Sequence, residues 1–214
     1  MEILGGLESG EKYRLVVPGL GYDIEIPYTV LPSGDRRIRI ASLNLVGQTR
    51  LNRDLGRLLA ARIREAFPDR DGLVFLTAVE KALMLVQAVA QELDLEAVAV
   101  AYNRVKPHME ADRRPLIQVG SSSVTSGSKF MALYERDINL IGQADRGIVV
   151  IDDVVSTGGT LLALEDLLEE VAAHRGHAPT AIQGVFCVAQ EGALQTLPGY
   201  PIHALTRLPD PEFV

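Results

Sequence analysis

Along the opening stretch of the chain, apolar and polar residues alternate in short runs closed by turn formers. Tyr13-Arg14-Leu15-Val16-Val17 ends at Pro18-Gly19, Tyr22 to Val30 alternates up to Pro32-Ser33-Gly34-Asp35, and Arg37-Ile38-Arg39-Ile40 takes the alternation up again. A period of two with Pro, Gly and Asp at the breaks predicts hairpin strands with one face exposed. The period then changes. Asn52 to Phe67 carries its apolar residues at Leu55, Leu58, Leu59 and Ile63 with arginines between, and it stops before Pro68, which predicts an amphipathic helix. From Gly72 onward, strand and helix patterns alternate: Leu73 to Thr77 and Ala97 to Tyr102 read as buried strands with a helix, Glu80 to Leu93, between them. Gly147 to Ile151 and Ala181 to Val188 supply further strands around one more helix. Such alternation predicts an α/β fold, a central and mainly parallel sheet flanked by helices.

The stretch Val149-Val150-Ile151-Asp152-Asp153-Val154-Val155-Ser156-Thr157-Gly158-Gly159-Thr160 changes the picture from fold to chemistry. Its first residues are β-branched and suit a strand buried on both faces. Leu161 to Ala172 has helical propensity and helical spacing. Strand, short Ser/Thr/Gly loop and helix thus follow with almost no slack, aiming backbone N–H groups and the positive end of a helix at one point, which suits a phosphate. Turn glycines are common at any such joint. Asp152 and Asp153 are not, because like charges at the end of a buried strand cost desolvation and mutual repulsion unless a metal ion or ligand hydroxyls partner them.

Composition bounds the reading. A chain of 214 residues with 47% hydrophobic and 23% charged residues holds one substantial core and is ordinary for a globular protein. No apolar run is long enough to span a bilayer, and Met1 to Gly6 lacks the form of a secretory signal, so no membrane role and a cytoplasmic location are expected. The single cysteine, Cys187, excludes an internal disulfide, and its apolar neighbours predict a packed core thiol. A net charge of −7 argues against nucleic acid as partner while leaving room for a small anion in a local pocket. His108, His174, His177 and His203 show no metal-ligand spacing. Between Tyr102 and Asp145, the small-polar tract Ser121 to Lys129 buries little, and with Phe130 to Tyr134 as returning strand it predicts a hairpin with a mobile tip.

Four apolar residues, two acids, two apolar residues, a small residue and Thr-Gly-Gly-Thr resemble the phosphoribosyl pyrophosphate (PRPP) binding motif of type I phosphoribosyltransferases. The resemblance runs from about residue 51 to 192 and is nearest to the adenine and xanthine enzymes. It implies transfer of ribose 5-phosphate from PRPP to a nucleobase, a purine such as adenine, with release of pyrophosphate. It implies that Ser156, Thr157, Gly158, Gly159 and Thr160 hold the 5′-phosphate. Asp152 and Asp153 would face the ribose hydroxyls and hold Mg2+, possible through water because magnesium keeps several of its own. Lys81, Arg104 and Lys106 would meet the pyrophosphate, Arg104 serving catalysis with the two acids, while Phe186 and Val188 would wall the base. Residues 1–46 would form a β-rich hood over a core of residues 47–214, the hairpin after Tyr102 would close over the reacting centre, and two copies would form a homodimer.

Two departures from the family pattern bear on activity. Ala82 stands where the pyrophosphate loop often has Gly, and Asn103 stands where a basic pair often begins. The departure at the pyrophosphate loop favours, as the alternative from another class, a PRPP-binding regulator or sensor that has lost transfer; an orotate or other pyrimidine enzyme is the nearest enzymatic alternative. The hairpin-like N-terminus and the acidic balance weigh against a DNA-binding regulator.

Overall fold

A computed structural model describes residues 3–4, 8–106, 115–120, 130–194 and 199–214. Five strands form the central sheet: β5 (Leu73–Ala78), β6 (Ala99–Ala101), β9 (Gly147–Val155), β10 (Ile182–Glu191) and β11 (Ile202–Leu208). Their order is β11-β10-β9-β5-β6, and every pairing is parallel. The alternation read from the sequence therefore gives the α/β sheet it predicts, with β9 at the centre.

A central parallel strand must be apolar on both faces, and Ile148, Val149, Val150 and Ile151 are at most 1% exposed. Val149 and Ile151, with Phe75 and Phe186, pack under α1 (Thr49–Ala66) and α2 (Leu83–Leu93), whose Leu55, Leu59, Ile63, Leu85 and Val89 complete that core. Ile148 and Val150 face the other way, against Leu164, Leu167 and Val171 of α4 (Gly159–Arg175) and Ile138 and Ile141 of α3 (Glu135–Ile141). Gly56 of α1 lies so close to α2 that a Cβ there would come within 2.6 Å of the Ala88 methyl, so the two helices meet backbone to backbone.

The N-terminal pattern gives a second sheet from β1 (Ile3–Leu4), β2 (Lys12–Leu15), β3 (Asp23–Ser33) and β4 (Arg36–Ala41). Its apolar side chains Leu15, Ile24 and Ile26, with Leu43 and Leu45 just after β4, run into the core beneath α1 and α2. The C-terminal β12 (Glu212–Phe213) pairs antiparallel with β4, and Arg39 ties the joint by ion pairs to Glu11 (2.5 Å) and Glu212 (3.4 Å) while lying over the Tyr28 ring.

Several boundaries differ from the sequence reading. β9 continues through both acids to Val155, β5 reaches Ala78, and α2 begins at Leu83, so Val79 to Ala82 form a loop rather than the first turn of a helix. The Val79–Glu80 peptide is cis. β7 (Leu116–Val119), α3 and β11 are elements the pattern did not single out. β7 pairs antiparallel with β8 (Met131–Tyr134), as the hairpin expectation requires, but its tip, 121–129, lies outside the described residues. Among the described residues no helix is long and apolar enough to cross a membrane.

Candidate active site

The site is built where the parallel strands end. Asp152 and Asp153 sit one after the other in β9, Asp152 half-buried and Asp153 9% exposed. The Asp153 N–H donates to Asp152 Oδ1 at 2.8 Å and the Val154 N–H donates to Asp153 Oδ1 at 2.9 Å. Each carboxylate is thereby held in place by the main-chain N–H of the next residue.

Beyond Val155 the chain turns into α4. Gly158 is the helix N-cap at φ +85°, a conformation that a side chain would strain, and no side chain caps the helix or places an acid in its first turn. Helix starts leave main-chain N–H groups beyond the reach of the helix's own carbonyls, and here these belong to Gly159, Thr160 and Leu161. They border a hollow of about 40 Å3 lined by Asp152 and the stretch from Val154 through Leu161.

The hollow adjoins a larger cavity of about 640 Å3, within the range of small-molecule sites. Asp152, Asp153, Ser156 and Thr160 line its centre. Strand order divides the rest. On the β5 and β6 side it is lined by Ala78, Val79, Glu80, Lys81 and Asn103; on the β10 and β11 side by Glu191 and Leu208. Ile40 to Leu43, at the end of β4, line it from the second sheet, and Phe130 and Met131 reach it from β8.

Of the residues singled out in the sequence, Asp152, Asp153, Ser156, Thr160 and Lys81 therefore meet at one cavity, and Thr157, Gly158 and Gly159 complete the hollow. Arg104 and Lys106 do not line it. Asn103 is the position that reaches the cavity at the end of β6, and Arg104 is exposed outside it. Phe186 and Val188 are placed elsewhere too, both 0% exposed in the core beneath α1. Phe186 stacks on His203 with ring centroids 4.5 Å apart and meets the edge of Phe67 at 6.1 Å. They are interior because β10 lies between β9 and β11 with helices covering it, so only its last residues reach an edge of the cavity.

Sequence reading missed Leu208 and Ile40 to Leu43 as lining residues. Glu191 carried the signal that found Asp152, an acid ending an apolar strand. Its carboxyl is pushed above the ordinary range, first by burial and then by the neighbouring charge of Asp210. Cys187, the lateral partner of Asp152 in β10, has its thiol pushed up to about 12, first by burial and then by Asp152. It is a neutral core thiol.

For a metal ion, no group of three or more His, Cys, Asp or Glu side chains comes together among the described residues. Two adjacent carboxylates facing an open cavity fit a hard cation that keeps most of its water, as magnesium does, and do not fit one that needs a full protein cage.

Comparison with known proteins agrees with this geometry. A phosphoribosyl transferase domain matches residues 44–182. The adenine phosphoribosyltransferase of Mycolicibacterium paratuberculosis is 32% identical over 127 residues, 59% of this chain and 62% of that one. That of Mycobacterium tuberculosis is 29% identical over 150 residues, 69% of this chain and 64% of that one. A hypoxanthine/guanine phosphoribosyltransferase of Methanocaldococcus jannaschii is 30% identical over 135 residues, 60% of this chain and 67% of that one. The chain thus spans less than two thirds of the length of these adenine enzymes. Among solved structures, the adenine phosphoribosyltransferase of Thermoanaerobacter pseudethanolicus superposes with a TM-score of 0.55 at 14% identity, covering 85% of this chain and 95% of that one. A second adenine phosphoribosyltransferase gives 0.53 at 16%, covering 83% and 94%. Those likenesses show the fold, and the domain match over residues 44–182 shows the kinship: the chain belongs to the phosphoribosyl transferase domain family.

Proposed function

We propose that the protein is a purine phosphoribosyltransferase, with adenine as first candidate, that transfers ribose 5-phosphate from PRPP to a ring nitrogen of the base and releases pyrophosphate. The observation that carries this is the opening of the phosphate-sized hollow and the acid pair into one cavity with chemically unlike flanks. The hollow would take the 5′-phosphate through main-chain N–H groups and the hydroxyls of Ser156, Thr157 and Thr160. Asp152 and Asp153 would accept hydrogen bonds from the ribose hydroxyls and orient the anomeric carbon. Lys81 would meet the departing pyrophosphate and stabilise its growing charge, with Arg104 and Lys106 just outside that flank as further cations. Residues 1–46 would serve as hood, bringing Ile40 to Leu43 over the ring.

Asp152 and Asp153 are also the residues that would hold Mg2+, which would neutralise charge on the pyrophosphate oxygens. The protein's own part is to bind both ends of PRPP, exclude water beneath the second sheet and hold the base in line. Pyrophosphate release should be followed with PRPP, Mg2+ and a panel of adenine, guanine, hypoxanthine, xanthine, uracil and orotate. Turnover of a purine supports the proposal; turnover of a pyrimidine alone overturns the base assignment.

The sensor reading keeps one specific observation, Glu80 beside Lys81 in the cavity, because an acid opposes a pyrophosphate there. PRPP binding by calorimetry without pyrophosphate release from PRPP in the presence of any base of the panel would establish that reading instead.

A further inference from the structure

Glu191 ends β10 and lines the cavity beside Leu208, its lateral partner in β11. Among the described residues its carboxyl has no hydrogen-bond donor or cation against it, and the charge that acts on it is Asp210, another acid. A half-buried carboxyl without a donor costs free energy, and a donor arriving with a ligand would offset that cost. The surroundings narrow what the ligand is. Val154, Leu208, Ile40, Ala41 and Leu43 line the same cavity and offer apolar surface to a flat ring. A ribose held at Asp152 and Asp153 has one flank where Lys81 sits beside Glu80 and offers a cation to an anion, and one where Glu191 lines the cavity with no lining cation beside it among the described residues. The ring therefore lies on the β10 and β11 flank, with its polar edge toward Glu191.

We propose that Glu191 is the specificity-determining residue for the base, accepting a hydrogen bond from an amino group on the ring and so selecting an aminopurine over its oxo counterpart. The inference rests on the transferase reading above. An amino group donates to the carboxyl. A carbonyl at the same ring position sets two acceptors against each other in a partly desolvated place, and sites built on hydrogen bonding discriminate strongly against such swaps. Adenine is then favoured over hypoxanthine if the six-position edge faces Glu191, and guanine over xanthine if the two-position edge does.

The test compares kcat/KM for these four purines in the wild type, Glu191→Gln and Glu191→Ala, with PRPP affinity measured separately by calorimetry. The aminopurine should lead its partner by at least ~10-fold in one pair, and Glu191→Gln, whose amide offers donor and acceptor alike, should remove most of that lead while PRPP affinity stays within ~2-fold. An unchanged ratio in both pairs, or a parallel loss for all four bases, overturns the proposal. If the wild type turns over no base, the transferase reading itself falls, and binding of the monophosphates decides the role of Glu191. Tighter AMP than IMP, or GMP than XMP, with the difference lost in Glu191→Gln, upholds it; equal binding overturns it.

Discussion

Two strand–loop–helix joints of one sheet meet at the cavity, and they are built differently. β9 passes into α4 through hydroxyls and glycines, with the N-cap Gly158 at φ +85°. β5, paired beside β9, passes into α2 through Val79, Glu80, Lys81 and Ala82, with the N-cap Ala82 in an ordinary right-handed conformation at φ −78° and ψ −13°. Parallel topology delivers a helix start to the cavity in both cases. On the proposed reading, the loop then decides how an anion would be met, by main-chain donors at the first joint and by charged side chains of both signs at the second. The comparison also explains the Ala at position 82. It is 1% exposed and sits where alanine is at ease, so the second joint has no conformational need for glycine.

The sharpest way to break this comparison is at the acids that precede the first joint. Asp152→Asn combined with Asp153→Asn should lower pyrophosphate release by at least ~100-fold, because both the orientation of the ribose and the charge beside it are removed. The thermal midpoint should stay close to the wild type, and turnover within a few-fold of wild type would remove the role assigned to the pair.

The second joint should respond to charge in both directions. Lys81→Ala should weaken PRPP by about 10-fold and Glu80→Gln should tighten it a few-fold, with both effects shrinking at high salt. Calorimetry at two ionic strengths reads this. Affinity that falls in both variants would mean that the loop acts through its shape.

The backbones should answer glycine exchange with unlike causes. Gly158→Ala should cost about 1 kcal/mol, since a methyl there meets only Leu194 Cδ2 at 3.6 Å and the strain is that of φ. Ala82→Gly should cost about 1 to 2 kcal/mol, through chain entropy and the loss of a buried methyl. Urea unfolding measures both, and only the first should also weaken PRPP.

The smallest expected effect concerns Cys187, behind the acid pair. With its thiol pushed up to about 12, iodoacetamide at pH 8 should leave it unmodified in the folded protein and label it fully in urea. The sign for stability follows. Folding favours the protonated thiol, so this contribution is whole below the unfolded value of about 8.5 and declines as pH rises from there toward 12. Rapid labelling of the folded protein would contradict its placement in the core.

Local patterns were enough to read four of the sheet's five strands, helices α1 and α4, and the joint that carries the family resemblance. Period, propensity and turn chemistry act over a dozen residues, and Val149 to Thr160 contains its whole signal within that span. Its two acids, hydroxyls and glycines remain at one cavity in the folded chain. Tertiary structure alone decided which other residues join them. A buried parallel strand is apolar on both faces, so nothing in Val185 to Ala189 tells the cavity from the core, and Phe186 and Val188 went to the core. One residue of offset at the end of β6 exchanged Arg104 for Asn103. Glu191, Leu208 and Ile40 to Leu43 come from strand ends far apart in the chain, adjacent only because the order β11-β10-β9-β5-β6 and the sheet above it place them so. The proposed phosphate end of the site is a local stretch of chain that the sequence spells out; the proposed base end is an assembly of distant strand ends, and only packing could draw it.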